Sequence, residues 1–184
     1  MSIVSWDDFA RLASAPVTLA LRGRVASVDE PAERLAFAPP DFWRVEDDHG
    51  QVRYLANDAG HYQWRPSSED PACFQPRRPG AWHSGSVNCT NLVRSRDLMN
   101  TRDDDFTRPA GPVQETTFIG RPAWRVLLAP PPRKPQPVWQ VLDVQSGVTL
   151  AYESPDGLTL VGFTSLATGV QLPPGTFDLP GDGA

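Results

Sequence analysis

The chain has 184 residues, 40% hydrophobic and 21% charged, with a formal net charge of −5. That length suits a single domain spanning residues 1–184 with a real core. The acidic balance excludes a nucleic-acid binder, which needs a basic face.

No apolar run reaches the roughly 18 residues that a membrane-spanning helix requires. The N-terminus, Met1 to Asp8, has no basic n-region, no apolar h-region and no cysteine to take a lipid, so a cytoplasmic location is expected. One lysine, Lys134, stands against sixteen arginines. We read this as compositional bias and not as an arginine-based site.

In chain order, Ser5 to Ser14 reads as a short helix. Ser5 is an N-cap, Asp7 and Asp8 favour the positive end of the helix dipole, and Phe9, Leu12 and Ala13 share a face with Trp6 close by. Pro16 stops the helix. From Val17 to Asp29 the pattern alternates, with Val17, Leu19, Leu21 and Val25 on one side and Arg22 and Arg24 on the other, as in a half-buried strand. Strands are expected at Glu33–Ala38, Phe42–Asp47, Gln51–Ala56 and His61–Trp64, separated by turn residues such as Asp48-His49-Gly50 and Asn57 to Gly60.

Residues 66–111 break the rhythm. They hold five prolines, Cys73, Cys89 and the acidic run Asp103 to Asp105, and are expected to form an irregular, lid-like insertion with a short helix over Asn91–Met99. From Val113 onward the strands resume. Val113 to Ala129 is hinged at Gly120-Arg121, Val138–Val144 turns at Gln145-Ser146-Gly147 into Val148–Glu153, and Pro155-Asp156-Gly157 leads into Leu158–Thr164. Gly takes φ > 0 and Pro presets φ, so these are turns with a mechanism. The tail from Leu172 to Pro180 is extended, pinned by Phe177 and Leu179. The fold class is α+β, mainly β: one curved antiparallel sheet of about seven to ten strands with two or three short helices.

Three stretches carry a family resemblance. Pro40 to Glu46 followed by Asn57 to Trp64 resembles a Pro-x-x-Trp-Arg … Asp-Gly-x-x-x-Trp strand pair. The others are Ile119 to Val126 and Leu142 to Leu150, closed by the Leu-Pro-Pro-Gly-Thr-Phe-Asp-Leu-Pro ending. In these the chain resembles the bacterial lipoprotein-carrier superfamily, LolA/LolB-like and including RseB-type sensor domains. The resemblance implies a strongly curved antiparallel sheet forming an unclosed half-barrel, with helices on its concave side. It also implies an apolar concave face that holds an acyl chain or a protein partner. Members that work in the periplasm carry a signal sequence, which is not seen here.

Catalytic motifs are absent from the sequence. Cys73, His83 and Cys89 are too widely spaced for a structural zinc site, and no third group orients a Cys–His pair. Whether Cys73 and Cys89 are bonded is left open. No serine lies in a nucleophile elbow and no Gly-rich phosphate loop occurs. Asp143 is read as an Asx-type bond within its turn, not as a catalytic carboxylate. Asp103 to Asp105 lack calcium-loop spacing, and His49 sits solvated in a turn.

We therefore expect no enzyme, no cofactor and no metal. The six tryptophans admit two readings, core packing or the walls of a pocket. On the second, an apolar small molecule or acyl chain is bound by Trp43, Trp64, Trp124 and Phe163, with Phe9, Leu92 and Met99 from the helices. The alternatives are a protein–protein interaction or regulatory module of the same fold and, more remotely, a Cys/His-dependent enzyme.

Overall fold

The computed structural model describes residues 4–64, 72–76, 88–93, 108–132 and 136–178, with Trp64, residues 72–76 and Asn88 described by backbone alone. The elements are helix α1 (Trp6–Ser14), strands β1 (Leu21–Ser27), β2 (Glu33–Ala38), β3 (Phe42–Asp47), β4 (Val52–Ala56), β5 (Gly60–Trp64) and β6 (Ala72–Pro76), helix α2 (Asn88–Val93), and strands β7 (Gln114–Phe118), β8 (Arg121–Leu128), β9 (Val138–Asp143), β10 (Thr149–Glu153) and β11 (Thr159–Thr168).

All strands join one antiparallel 11-stranded sheet in the order β6-β5-β4-β3-β2-β1-β11-β10-β9-β8-β7. Two meanders, β1 to β6 and β7 to β11, meet where β1 pairs β11. The end strands β6 and β7 are not paired to each other, so the sheet stays unclosed. Among the described residues no helix is long and apolar enough to cross a membrane.

Local chemistry explains most boundaries. The α1 N-terminus is a capping box: Asp8 N–H donates to Ser5 Oγ at 3.1 Å, and Ser5 N–H donates back to Asp8 Oδ2 at 3.4 Å. The hairpin between β7 and β8 turns through Ile119 (φ 45) and Gly120 (φ 77), two successive left-handed residues that match the twist of the flanking strands. Gly147 (φ 70) closes the turn before β10, and a Cβ there would lie 2.9 Å from the Leu12 carbonyl oxygen of α1. The turn and the helix thus meet backbone to backbone.

Several features differ from the sequence reading, among them β11, which runs on to Thr168. β1 begins at Leu21, not Val17, and Leu19 is 41% exposed. The pairing of β1 with β2 begins at Leu21↔Phe37, one residue before β2 ends at Ala38 and Pro39-Pro40 follows. β6 is an eleventh strand inside the stretch expected to be irregular. It pairs with β5 from Gly60↔Pro76 to Trp64↔Ala72, and Pro76 at the end of an outermost strand removes no ladder bond between two partners. Helix α2 spans Asn88–Val93, earlier than the expected 91–99. Residues 94–99 lie outside the described residues, as does most of the stretch expected to be lid-like.

The apolar side chains form two clusters. The larger gathers Leu21, Leu35, Phe37, Trp43, Val45, Tyr54 and Phe163 from the sheet with Cys89, Leu92 and Val93 from α2. The smaller joins Phe9 and Ala13 of α1 to Val126, Leu128 and Leu142.

Candidate functional site

Alternation along β1 to β4 gives this half of the sheet two faces. The inner face carries the rows Leu21↔Phe37, Phe37↔Trp43 and Trp43↔Ala56, and beside them Leu35↔Val45 and Val45↔Tyr54. These side chains are closely packed. Trp43 is 1% exposed, packs on Phe37 at 4.6 Å with the rings tilted by 54° and donates its indole N–H to Asp41 Oδ1 at 2.6 Å. Burial pushes the Tyr54 hydroxyl up to about 12. Phe163 lies on the backbone of Gly23, where a Cβ would be 2.6 Å from its ring.

The residues expected to line one apolar pocket divide between the two clusters. Trp43, Phe163 and Leu92 belong to the larger, and Phe9 and the half-buried Trp124 to the smaller. Phe9 also stacks on Trp6 at 5.7 Å. The side chain of Trp64 and all of Met99 lie outside the described residues.

The polar candidates resolve into structural roles. The fully buried Asp143 accepts from Ser146 N–H at 3.0 Å and from the Ser146 hydroxyl, and binds Arg121 through both oxygens. This is the Asx-type turn bond expected from the sequence, with a cation added. His49 is exposed in its turn and donates its backbone N–H to Asp47 Oδ1 at 2.9 Å.

Cys89 is a free, buried thiol. Burial, then the adjacent Glu33 carboxylate, pushes its pKa well above the usual thiol value, and the two groups are hydrogen bonded. Burial likewise raises Glu33. A thiol held neutral in this way is a poor nucleophile. The side chains of Cys73, His83 and Asp103 to Asp105 lie outside the described residues. Among the described residues no three His, Cys, Asp or Glu side chains cluster to hold a metal ion.

Among the described residues an open groove lies on the other face of the sheet. A groove of about 710 Å³ crosses β11, β1, β2 and β3, lined by Arg22, Arg24, Arg34, Arg44 and Glu46 and walled by Pro173 to Thr176. Register builds it from two rows: Arg44↔Ala36, Ala36↔Arg22 and Arg22↔Ala167, and beside it Glu46↔Arg34, Arg34↔Arg24 and Arg24↔Ser165. The tail is tied down by Arg44 Nη1 donating to the Thr176 carbonyl at 3.2 Å, Asn57 Nδ2 donating to the Phe177 carbonyl at 2.9 Å, and Phe42 packing on Phe177 at 5.6 Å. Sequence reasoning missed this groove. The outward parity of Arg22 and Arg24 was its one legible trace.

No protein-family model matches the chain, and no curated protein matches it in sequence. Solved structures do. A chain of the Pseudomonas aeruginosa MucA/MucB complex is similar over 94% of this chain and 61% of that one, at 16% identity and a TM-score of 0.52. The fold is LolA/LolB-like, as in MucB.

MucB in complex with MucA(peri) superposes over 95% of this chain and 60% of that one, at 16% identity and a TM-score of 0.40. A LolA superfamily protein from Nitrosomonas europaea gives 10% identity and a TM-score of 0.32 over 95% and 97% of the two chains. The chain spans about three fifths of the MucB chains it matches. At these identities the likeness is one of fold. The MucB-like sheet carries its packed aromatics on one face and its charged groove on the other.

Proposed function

We propose that this chain is a non-catalytic binding module that works by contact with another protein. The observation that carries this reading is the disposition of the two sheet faces. Trp43, Phe163, Phe9 and Leu92, at 0–2% exposure, are occupied by the chain's own core. The groove that crosses the described sheet is open and carries Arg22, Arg24, Arg34, Arg44 and Glu46 among small and apolar lining residues. An open, charged concavity on a rigid sheet suits a peptide or protein surface better than a buried apolar molecule. The fold neighbour MucB is itself crystallised with a protein, MucA. The neutral, buried Cys89 supports the non-catalytic part of the proposal.

A second reading, binding of an acyl chain or other apolar small molecule, draws on one observation. Trp124, Tyr152, Val161 and Leu166 are only partly buried at the margins of the two clusters. The two readings separate in one experiment. The chain is cross-linked in its native cells and purified, its partners identified by mass spectrometry and its organic extract assayed for acyl chains. A stoichiometric protein partner and an empty extract are expected. A stoichiometric acyl chain without a partner, displaced by fatty acid and weakened by Trp124→Ala, would establish the second reading instead.

A further inference from the structure

The outer groove has a charge pattern that selects its occupant. Four guanidiniums line it against one carboxylate, in a protein whose net charge is −5. Glu46 is shared, lying 2.6 Å from Arg44 Nε and 3.6 Å from Arg34 Nη2. Arg24 donates from Nη2 to both oxygens of Asp48, at 2.9 and 3.0 Å. Arg22, exposed in mid-groove, has no carboxylate partner among the described residues. The groove therefore keeps an excess of positive charge after its internal pairing.

The floor is as informative as the charge. In the row Arg44–Ala36–Arg22–Ala167, long cationic side chains alternate with methyl groups. The cations stand up from a floor low enough for a chain to lie on. Arg22 and Arg44 are two strands apart, about 10 Å, which is roughly three residues of extended peptide. Guanidiniums so spaced cannot converge on one small anion, but each can take one carboxylate of an extended chain, as Arg24 already takes Asp48.

Resting on the protein-partner reading above, we propose that this groove is the docking site for an extended acidic segment of the partner. An acidic side chain would pair with Arg22, and a second, two or three residues on, would compete with Glu46 for Arg44 on the same row. The chain's overall negative charge repels long polyanions such as nucleic acid or an anionic membrane. A short acidic segment concentrates its charge inside the groove.

The test uses the full chain and a fluorescein-labelled octapeptide of alternating glutamate and serine, with binding read by anisotropy at low and high salt. The same peptide with lysine for glutamate is the control. A thymidine oligonucleotide and phosphatidylglycerol vesicles are the competing anions. The glutamate peptide should bind, lose affinity as salt rises, and bind at least about fivefold more weakly to Arg22→Glu. That variant alters an exposed side chain and should keep the wild-type circular dichroism and melting temperature. Arg34→Glu gives an independent second reading of the same loss.

Unchanged peptide affinity in both variants would overturn the proposal. Tighter binding of the oligonucleotide or the vesicles than of the peptide would also overturn it. Cross-links placing a native partner on another surface would leave the protein-partner reading standing and remove the groove from it. A stoichiometric acyl chain without a partner would remove that reading itself.

Discussion

Arg121 grips the fully buried Asp143 with both sides of its guanidinium, Nε to Oδ1 at 2.9 Å and Nη2 to Oδ2 at 3.0 Å. The pair ties the start of β8 to the turn between β9 and β10. The same guanidinium reaches Gln145 Oε1 and Thr168 Oγ1, both at 3.3 Å. Removing the cation leaves a buried carboxylate with only its serine donors. Arg121→Ala should cost about 3–5 kcal/mol, read as a lower urea midpoint. Arg121→Lys should recover only part of this, because an ammonium cannot reproduce the fork. A loss below about 1 kcal/mol would show that solvent or another group replaces the guanidinium.

Gly23 and Phe163 occupy one space. A Cβ at position 23 would meet the ring at 2.6 Å and the Ser165 carbonyl oxygen at 2.8 Å. Gly23→Ala should destabilise by about 1–3 kcal/mol in thermal unfolding. In the Gly23→Ala background, Phe163→Leu should cost less than it does alone, because part of the clash is relieved. Strict additivity of the two changes would argue against the contact.

Asp47 predicts the acid limb of stability. Burial raises its pKa, but the N–H groups of Gln51 and His49 and the positive charge of Arg53 outweigh this and hold it below the usual carboxylate range. A folded-state pKa below the unfolded one contributes stability above the unfolded value. That contribution is lost as pH falls through the ordinary carboxylate range to the lowered pKa. Asp47→Asn should therefore melt lower than wild type at pH 7, and the difference should shrink as the pH is lowered towards 3. A constant difference across that range would exclude this linkage.

Cys89 should be chemically silent in the folded protein. Its thiol is 0% exposed and its pKa is raised by burial and by Glu33. In a Cys73→Ser background, reaction with a disulfide reagent at pH 8 should await unfolding and quicken sharply in denaturant. Immediate stoichiometric labelling without denaturant would contradict the burial.

Much of the fold was legible because its signals are local. Ser5 and Asp8 marked the first turn of α1, and Asp143 with Ser146 and Gly147 marked one hairpin. Period-two alternation located ten strands to within a few residues. β6 escaped because the sequence Ala72 to Pro76 lies among prolines and has no clear alternation. It is a strand by virtue of the free edge that β5 offers, which is a property of β5.

The site was far less legible, and the cause is again physical. Alternation showed that Arg22 and Arg24 face away from Leu21 and Val25. It could not show that Arg44 stands across Ala36 from Arg22, because cross-strand neighbours are set by register between separate strands and not by local periodicity. Nor could composition tell bias from function: sixteen arginines against one lysine say nothing about where four of them meet. The tryptophans repeat the lesson. The sequence made Trp43 and Trp124 apolar and strand-borne. Only packing set Trp43 in the larger cluster, against Phe37, and Trp124 beside α1 in the other. Periodicity is written into adjacent residues, whereas register and cover arise only when distant segments meet.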